Sequence, residues 1–143
     1  MRQLIKNRIC TYILPISLAI SIFVASSTQH LAVLNVNIPF SPDKLLHLLI
    51  FGLLATVILR TKKLKQLRTR DLIVSIFIVS TYGILDEIHQ SFTPGRSVEL
   101  GDWIADTIGA FTAVILYGRC ESYRKILEYR VKFKALKMSA HKV

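Results

Sequence analysis

Four apolar stretches separated by blocks of charge constrain this chain more than any other feature. Ile9 to Ser27 runs for 19 residues without a charge, and Leu45 to Leu59 is broken only by His47. Leu72 to Leu85 is uncharged, and Trp103 to Gly118 contains only Asp106. A hydrocarbon core about 30 Å thick takes roughly 20 helical residues to cross. The last three stretches reach that length only with their polar ends, so hydropathy alone leaves them open to a second reading as buried helices of a soluble bundle.

The charges between the stretches decide the matter. Among 143 residues, 19 Lys and Arg oppose 9 Asp and Glu, a formal net charge of +10. Seventeen of the basic residues fall in three blocks: Arg2 to Arg8, Arg60 to Arg70, and the tail from Arg119 to Lys142. Asp43, Asp86, Glu87, Glu99, Asp102 and Asp106 all lie between those blocks. A four-span chain with its termini on one side places every basic block on that side. Lys and Arg collect on cytoplasmic loops, so both termini are expected in the cytoplasm. A nucleic-acid-binding bundle has no reason to sort charge by alternate loops, so nucleic acid is not an expected partner. The 52% hydrophobic content excludes a disordered chain, and two cysteines exclude a disulfide-stapled miniprotein.

The expected fold is all-α: an integral membrane bundle of four transmembrane helices over residues 9–118, followed by a basic cytoplasmic tail over 119–143. In the tail, Tyr123, Ile126, Tyr129, Phe133 and Leu136 recur at helical steps among Lys and Arg, the pattern of an amphipathic helix on an anionic headgroup layer. Residues 1–27 have a basic start and end on Ala25, Ser26 and Ser27, as a signal peptide would. Their apolar run exceeds the usual 7–15 residues, so they are read as a retained helix. Cys10 and Cys120 fall at cytoplasmic helix ends and are assigned no disulfide.

Local signals set the helix ends. Pro15 is expected to kink the first helix mildly, and Pro39 and Pro42 break any continuous helix across the apolar outer segment 28–40. Ser41 is a candidate N-cap, followed by Pro42 and Asp43 at the positive end of the second helix. The third helix is expected from near Asp71 to near Gln90, and Ser91 to Ser97 reads as a turn around Pro94-Gly95. Asp102 is a candidate cap of the fourth helix, along which Asp102, Asp106, Gly109 and Ala113 share a stripe that permits close packing.

Polar groups from these helices meet at one membrane depth. Asp43 and His47 are i, i+4 neighbours, as are Asp102 and Asp106; Asp86, Glu87, His89 and Gln90 crowd the last turn of the third helix; Arg96 comes from the turn. Charge so close to hydrocarbon is costly and should face the bundle interior in pairs. Asp43 and Asp102 also suit simple capping, His47 an interhelical hydrogen bond, and His89 a solvated interface. No metalloprotease motif and no activated Ser or Cys context is present.

Three strings carry a family resemblance. Asp43-Lys44-Leu45-Leu46-His47, then Asp86-Glu87-Ile88-His89-Gln90-Ser91-Phe92-Thr93-Pro94-Gly95-Arg96-Ser97, then Asp102-Trp103-Ile104-Ala105-Asp106-Thr107-Ile108-Gly109 resemble the VanZ-like membrane protein family, over about Asp43 to Gly118. The resemblance implies a small bacterial integral membrane protein of four or five spans, in a family named for an accessory of glycopeptide-antibiotic resistance. It places Asp43, Lys44, His47, Glu87, Gln90, Arg96, Asp102 and Asp106 on the motif positions; many members have Asn where this chain has Asp106.

These residues suggest a pocket at the outer leaflet for an envelope lipid or lipid-linked cell-wall precursor. Arg96 and Lys44 suit a phosphate or carboxylate, and His47 and Glu87 are the acid/base candidates. Asp43, Asp102 and Asp106 are orienters or ligands of a divalent cation, and Gln90 completes the binding set. The alternative is a membrane scaffold or stress accessory whose polar cluster only locks the helices together.

Overall fold

The computed structural model describes residues 2–27, 42–62, 67–94 and 98–127, with side chains from residue 11 onward. Four helices follow in order: α1 (Arg2–Ser26), α2 (Pro42–Leu59), α3 (Thr69–Gln90) and α4 (Leu100–Arg119). The described residues contain no strand, in agreement with the all-α expectation. The outer segment 28–40, Ser41, the tip of the turn at residues 95–97 and the tail beyond 127 lie outside the described residues, and with them fall Arg96, the Ser41 cap and most of the amphipathic tail.

Three helices, α2, α3 and α4, are long and apolar enough to cross a bilayer; the apolar part of α1, Thr11–Ser26, is shorter. At 1.5 Å per residue, the 18 residues of α2 extend about 27 Å, close to the hydrocarbon thickness. Phe77 is 71% exposed and Ile73 61%; together with Leu49, Leu85 and Phe111 they make an outer surface that only lipid satisfies.

The helix ends follow local chemistry, with two shifts from the sequence reading. Pro42 occupies the first position of α2, where its missing N–H costs nothing, and Asp43 sits in the first turn. Helix α3 starts at Thr69, ahead of Asp71, because the Asp71 carboxylate accepts the Arg68 backbone N–H at 3.0 Å and also pairs with Lys62. Helix α4 starts at Leu100 with Glu99 at its cap position. Asp102 is therefore not the cap but a first-turn residue whose side chain is free to cross to α2. At the far end, α4 stops at Cys120 and a further helical stretch covers residues 121–127. There Arg124 Nη1 donates to the terminal carbonyls of Tyr117 (3.0 Å) and Gly118 (2.9 Å).

Helices α2 and α4 form the central pair, both starting at the same end of the bundle. A Cβ on Gly109 would overlap the Leu48 carbonyl, and one on Gly52 would lie 2.9 Å from the Gly109 carbonyl oxygen. The stripe Asp102, Asp106, Gly109 and Ala113 is buried along its whole length, as the close-packing pattern predicts. Phe51, Leu54, Ala55, Val79, Ala110, Val114 and Tyr117 fill the core around this crossing. Helix α1 docks on α3 through Tyr82, whose hydroxyl donates to the Ala19 carbonyl at 2.7 Å. Because the pair is this close, the side chains one turn beyond the crossing are forced together at one end.

Candidate functional site

That end gathers the last turns of α1 and α3 and the first turns of α2 and α4. His47 of α2 and Asp106 of α4 meet one turn inside it, with Nδ1 to Oδ1 at 2.9 Å. An ionised carboxylate only accepts, so opposite ionised Asp106 the imidazole donates from Nδ1, and in its neutral form the lone pair is then on Nε2. Asp106 is fully buried, and Gly83 of α3 makes the room: a Cβ there would approach Asp106 Oδ2 to 2.8 Å. His47 stacks on Phe51 with ring centroids 5.7 Å apart, which fixes the ring plane from the core side.

One turn outward, Lys44 bridges the helices. Its ammonium lies 2.7 Å from Glu99 and 3.1 Å from Asp102. Its stem covers Gly101, where a Cβ would come within 3.0 Å of Cε. Asp102 is buried whereas Glu99 is half exposed, so the Asp102 contact is the one shielded from solvent.

On α3, Asp86 and Glu87 are both buried and serve different neighbours. Ser26 of α1 donates to Asp86 at 2.7 Å and 2.8 Å to its two oxygens, and Gln90 Nε2 donates to Oδ2 at 2.9 Å. Glu87 accepts the Glu99 backbone N–H at 2.9 Å, which ties the start of α4 to the end of α3. The second oxygens of Glu87 and Asp106, Oε1 and Oδ2, are buried and lack a hydrogen-bond partner among the described residues. A small cavity of about 50 Å³ opens between the helices, lined by Ser26, Asp43, His47 and Asp86 with Ile22 and Phe51.

Seven of the eight residues singled out from the sequence are brought together here: Asp43, Lys44, His47, Glu87, Gln90, Asp102 and Asp106. Arg96, the eighth, lies outside the described residues. Asp43, His47 and Asp102 offer ligand atoms within 4.8 Å of one another. Sequence reasoning placed Asp86 in the polar cluster without giving it a role, and it missed Ser26 and Glu99 as members. Asp86 carried a signal, since it is one helical turn from Gln90; Ser26 carried none beyond its place at the end of an apolar run. His89 is not a bare interface residue: its ring stacks on Phe23 at 3.9 Å, and Nε2 lies 2.8 Å from Ser27 Oγ.

The arrangement can hold a cation or a hydrogen-bond donor against its carboxylates, and it presents an imidazole whose tautomer is fixed by a buried acid. That is the geometry of an oriented base or of a metal-binding histidine.

A family model described as VanZ/LLP1 matches residues 5–121. No curated protein and no solved structure gives a significant match. The match covers most of the chain, including every side chain of the polar end. This chain belongs to the VanZ/LLP1 family, and with its apolar helices it is a multi-pass membrane protein.

Proposed function

We propose that this VanZ/LLP1 protein crosses the membrane four times with both termini in the cytoplasm. Its polar end then faces the outer leaflet, where it binds or acts on an envelope lipid or lipid-linked cell-wall precursor. The orientation rests on basic residues at the end opposite the carboxylates: Arg60 and Lys62 after α2, Arg68 and Arg70 around the start of α3, and Arg119 at the end of α4. Entry of α1 as a fourth span rests on its docking to α3 and on its last turn supplying Ser26.

The observation that carries the pocket is the pair of unpartnered oxygens. Polar networks that only lock helices together have their buried acceptors satisfied, because an unmet one costs about 1–3 kcal/mol. Glu87 Oε1 and Asp106 Oδ2 are left over, and a lipid head carrying hydroxyl or ammonium donors would meet them. Lys44, whose partner Glu99 is half exposed, is placed to exchange that partner for a phosphate, and Arg96 supplies a second cation from the adjoining turn. His47 and Glu87 are the acid/base pair should a reaction follow.

Purified protein in phosphatidylcholine nanodiscs, titrated with a polyprenyl diphosphate that carries an N-acetylated sugar, tests this reading, because the sugar supplies the hydroxyl donors and the diphosphate the anion. Saturable binding is expected, at least tenfold weaker in Arg96→Ala, with unfolding temperature unchanged. If Arg96→Ala and Lys44→Met bind like the parent protein, the reading fails.

The interhelical bonds Lys44–Asp102 and Ser26–Asp86 favour a second reading, a non-enzymatic scaffold or stress accessory. It predicts that every substitution in the cluster removes protein from the membrane.

A further inference from the structure

Asp43 and His47 lie on one face of α2, and the first turn of α4 brings Asp102 against them. One ligand atom from each falls within 4.8 Å of the other two. Four protein donors or fewer, at about 2.0–2.2 Å from a Zn²⁺, stand about 3.4 Å apart in a tetrahedral site. The side chains therefore need to close by about an ångström or so, which rotamer adjustment supplies at a helix end.

Two features go beyond a group of acids. First, His47 is held as metal-binding histidines are held. Its Nδ1 lies 2.9 Å from a fully buried carboxylate, Asp106, the partner that in the neutral imidazole holds the proton on Nδ1 and frees Nε2 to bind a metal. Second, negative charge exceeds its compensation. Asp86, Glu87 and Asp102 are buried beside the His47–Asp106 pair, and among the described residues Lys44 is the lysine or arginine that contacts any of the three. Glu87 Oε1 has no partner there, and Glu87 is within electrostatic reach of His47 and Asp102. Buried carboxylates in that excess call for a cation. The cavity lined by Asp43 and His47, about 50 Å³, has room for an ion with a water.

We propose that Asp43, His47 and Asp102 bind a divalent transition-metal cation of the Zn²⁺ or Mn²⁺ class, with Asp106 as the positioning residue of His47. Two carboxylates and one imidazole favour these ions over Ca²⁺ and Mg²⁺, which take oxygen ligands alone. Three protein ligands leave positions open for water or a phosphate oxygen. The site does not depend on a lipid being the substrate.

The test uses the full chain, tag removed and chelator-treated, in detergent. Zn²⁺ or Mn²⁺ alone is titrated while the unfolding temperature and the Mn²⁺ electron paramagnetic resonance signal are followed. One equivalent is expected to bind and raise the unfolding temperature by several degrees, with Mg²⁺ at the same concentration without effect. His47→Ala and Asp102→Asn should lose binding. Asp106→Asn should keep its fold and bind about 10–100-fold more weakly. Asp43→Asn, at the partly exposed start of α2, keeps the size of the side chain and should lose binding, read as the absence of a metal-induced shift from its own metal-free unfolding temperature. Absence of stoichiometric binding to the parent chain, or undiminished binding in Asp43→Asn, overturns the proposal.

Discussion

His47 of α2 and Asp106 of α4 are 59 positions apart and share a hydrogen bond of 2.9 Å inside the bundle. Because Asp106 is buried and His47 nearly so, each is the other's compensation. A double-mutant cycle with His47→Ala and Asp106→Ala should give a coupling of about 1–3 kcal/mol in denaturant unfolding of the purified protein. A coupling near zero would mean that the two side chains act independently.

The crossing of α2 and α4 depends on bare backbone at Gly109. Gly109→Ala drives a methyl into the Leu48 carbonyl, and the helices must separate to admit it. The expected loss is about 3 kcal/mol or more, seen as lower membrane accumulation and a lower unfolding temperature. Gly118→Ala is the control: its added Cβ meets only Leu72 Cδ1 at 4.0 Å. It should stay within about 0.5 kcal/mol of the parent.

Much of this was legible in the sequence, for reasons tied to particular residues. The i, i+4 pairs Asp43/His47 and Asp102/Asp106 put four side chains on two helix faces, and Gly109 with Ala113 marked the face that packs. What stayed hidden depended on exact helix starts and on tertiary partners. Asp102 read as a cap because its residue type suits one, yet the helix begins two residues earlier and frees its side chain for Lys44. Ser26 became a partner of Asp86 only through the docking of α1 against α3, which no local pattern encodes.

Lys44 holds two acids in different surroundings, and their removal should differ. Glu99 is 50% exposed and Asp102 only 4% on the side chain. Glu99→Gln should cost less than about 1 kcal/mol, as exposed pairs do. Lys44→Met strands the buried Asp102 and should cost more, about 1–3 kcal/mol. Chemical unfolding of the two variants side by side checks the order, and equal costs contradict it.

Ser26 fastens the end of α1 by donating to both oxygens of Asp86. Ser26→Ala should loosen that end before the rest of the bundle. Hydrogen exchange in the last turn of α1 is expected to rise while that at the α2–α4 crossing stays constant. Uniform change across all helices would contradict a local fastening.

The four-span arrangement is tested by single cysteines at Lys65→Cys and Thr93→Cys in a background with Cys10 and Cys120 replaced by Ser. A membrane-impermeant thiol label on intact cells should reach Thr93→Cys and not Lys65→Cys. Labelling of both, or of neither until the cells are opened, rules the arrangement out.

Glu87→Gln tests the central claim, that the polar end serves a ligand, more directly than any other change. The Gln side-chain oxygen can keep the Glu99 backbone N–H, so the fold loses little, while the unpartnered Oε1 loses its charge. Unfolding temperature and binding of the polyprenyl diphosphate sugar, whose hydroxyls would donate to Glu87, should be measured on one preparation. The account predicts an unchanged or higher unfolding temperature with binding at least tenfold weaker; a lowered unfolding temperature with binding intact would contradict it.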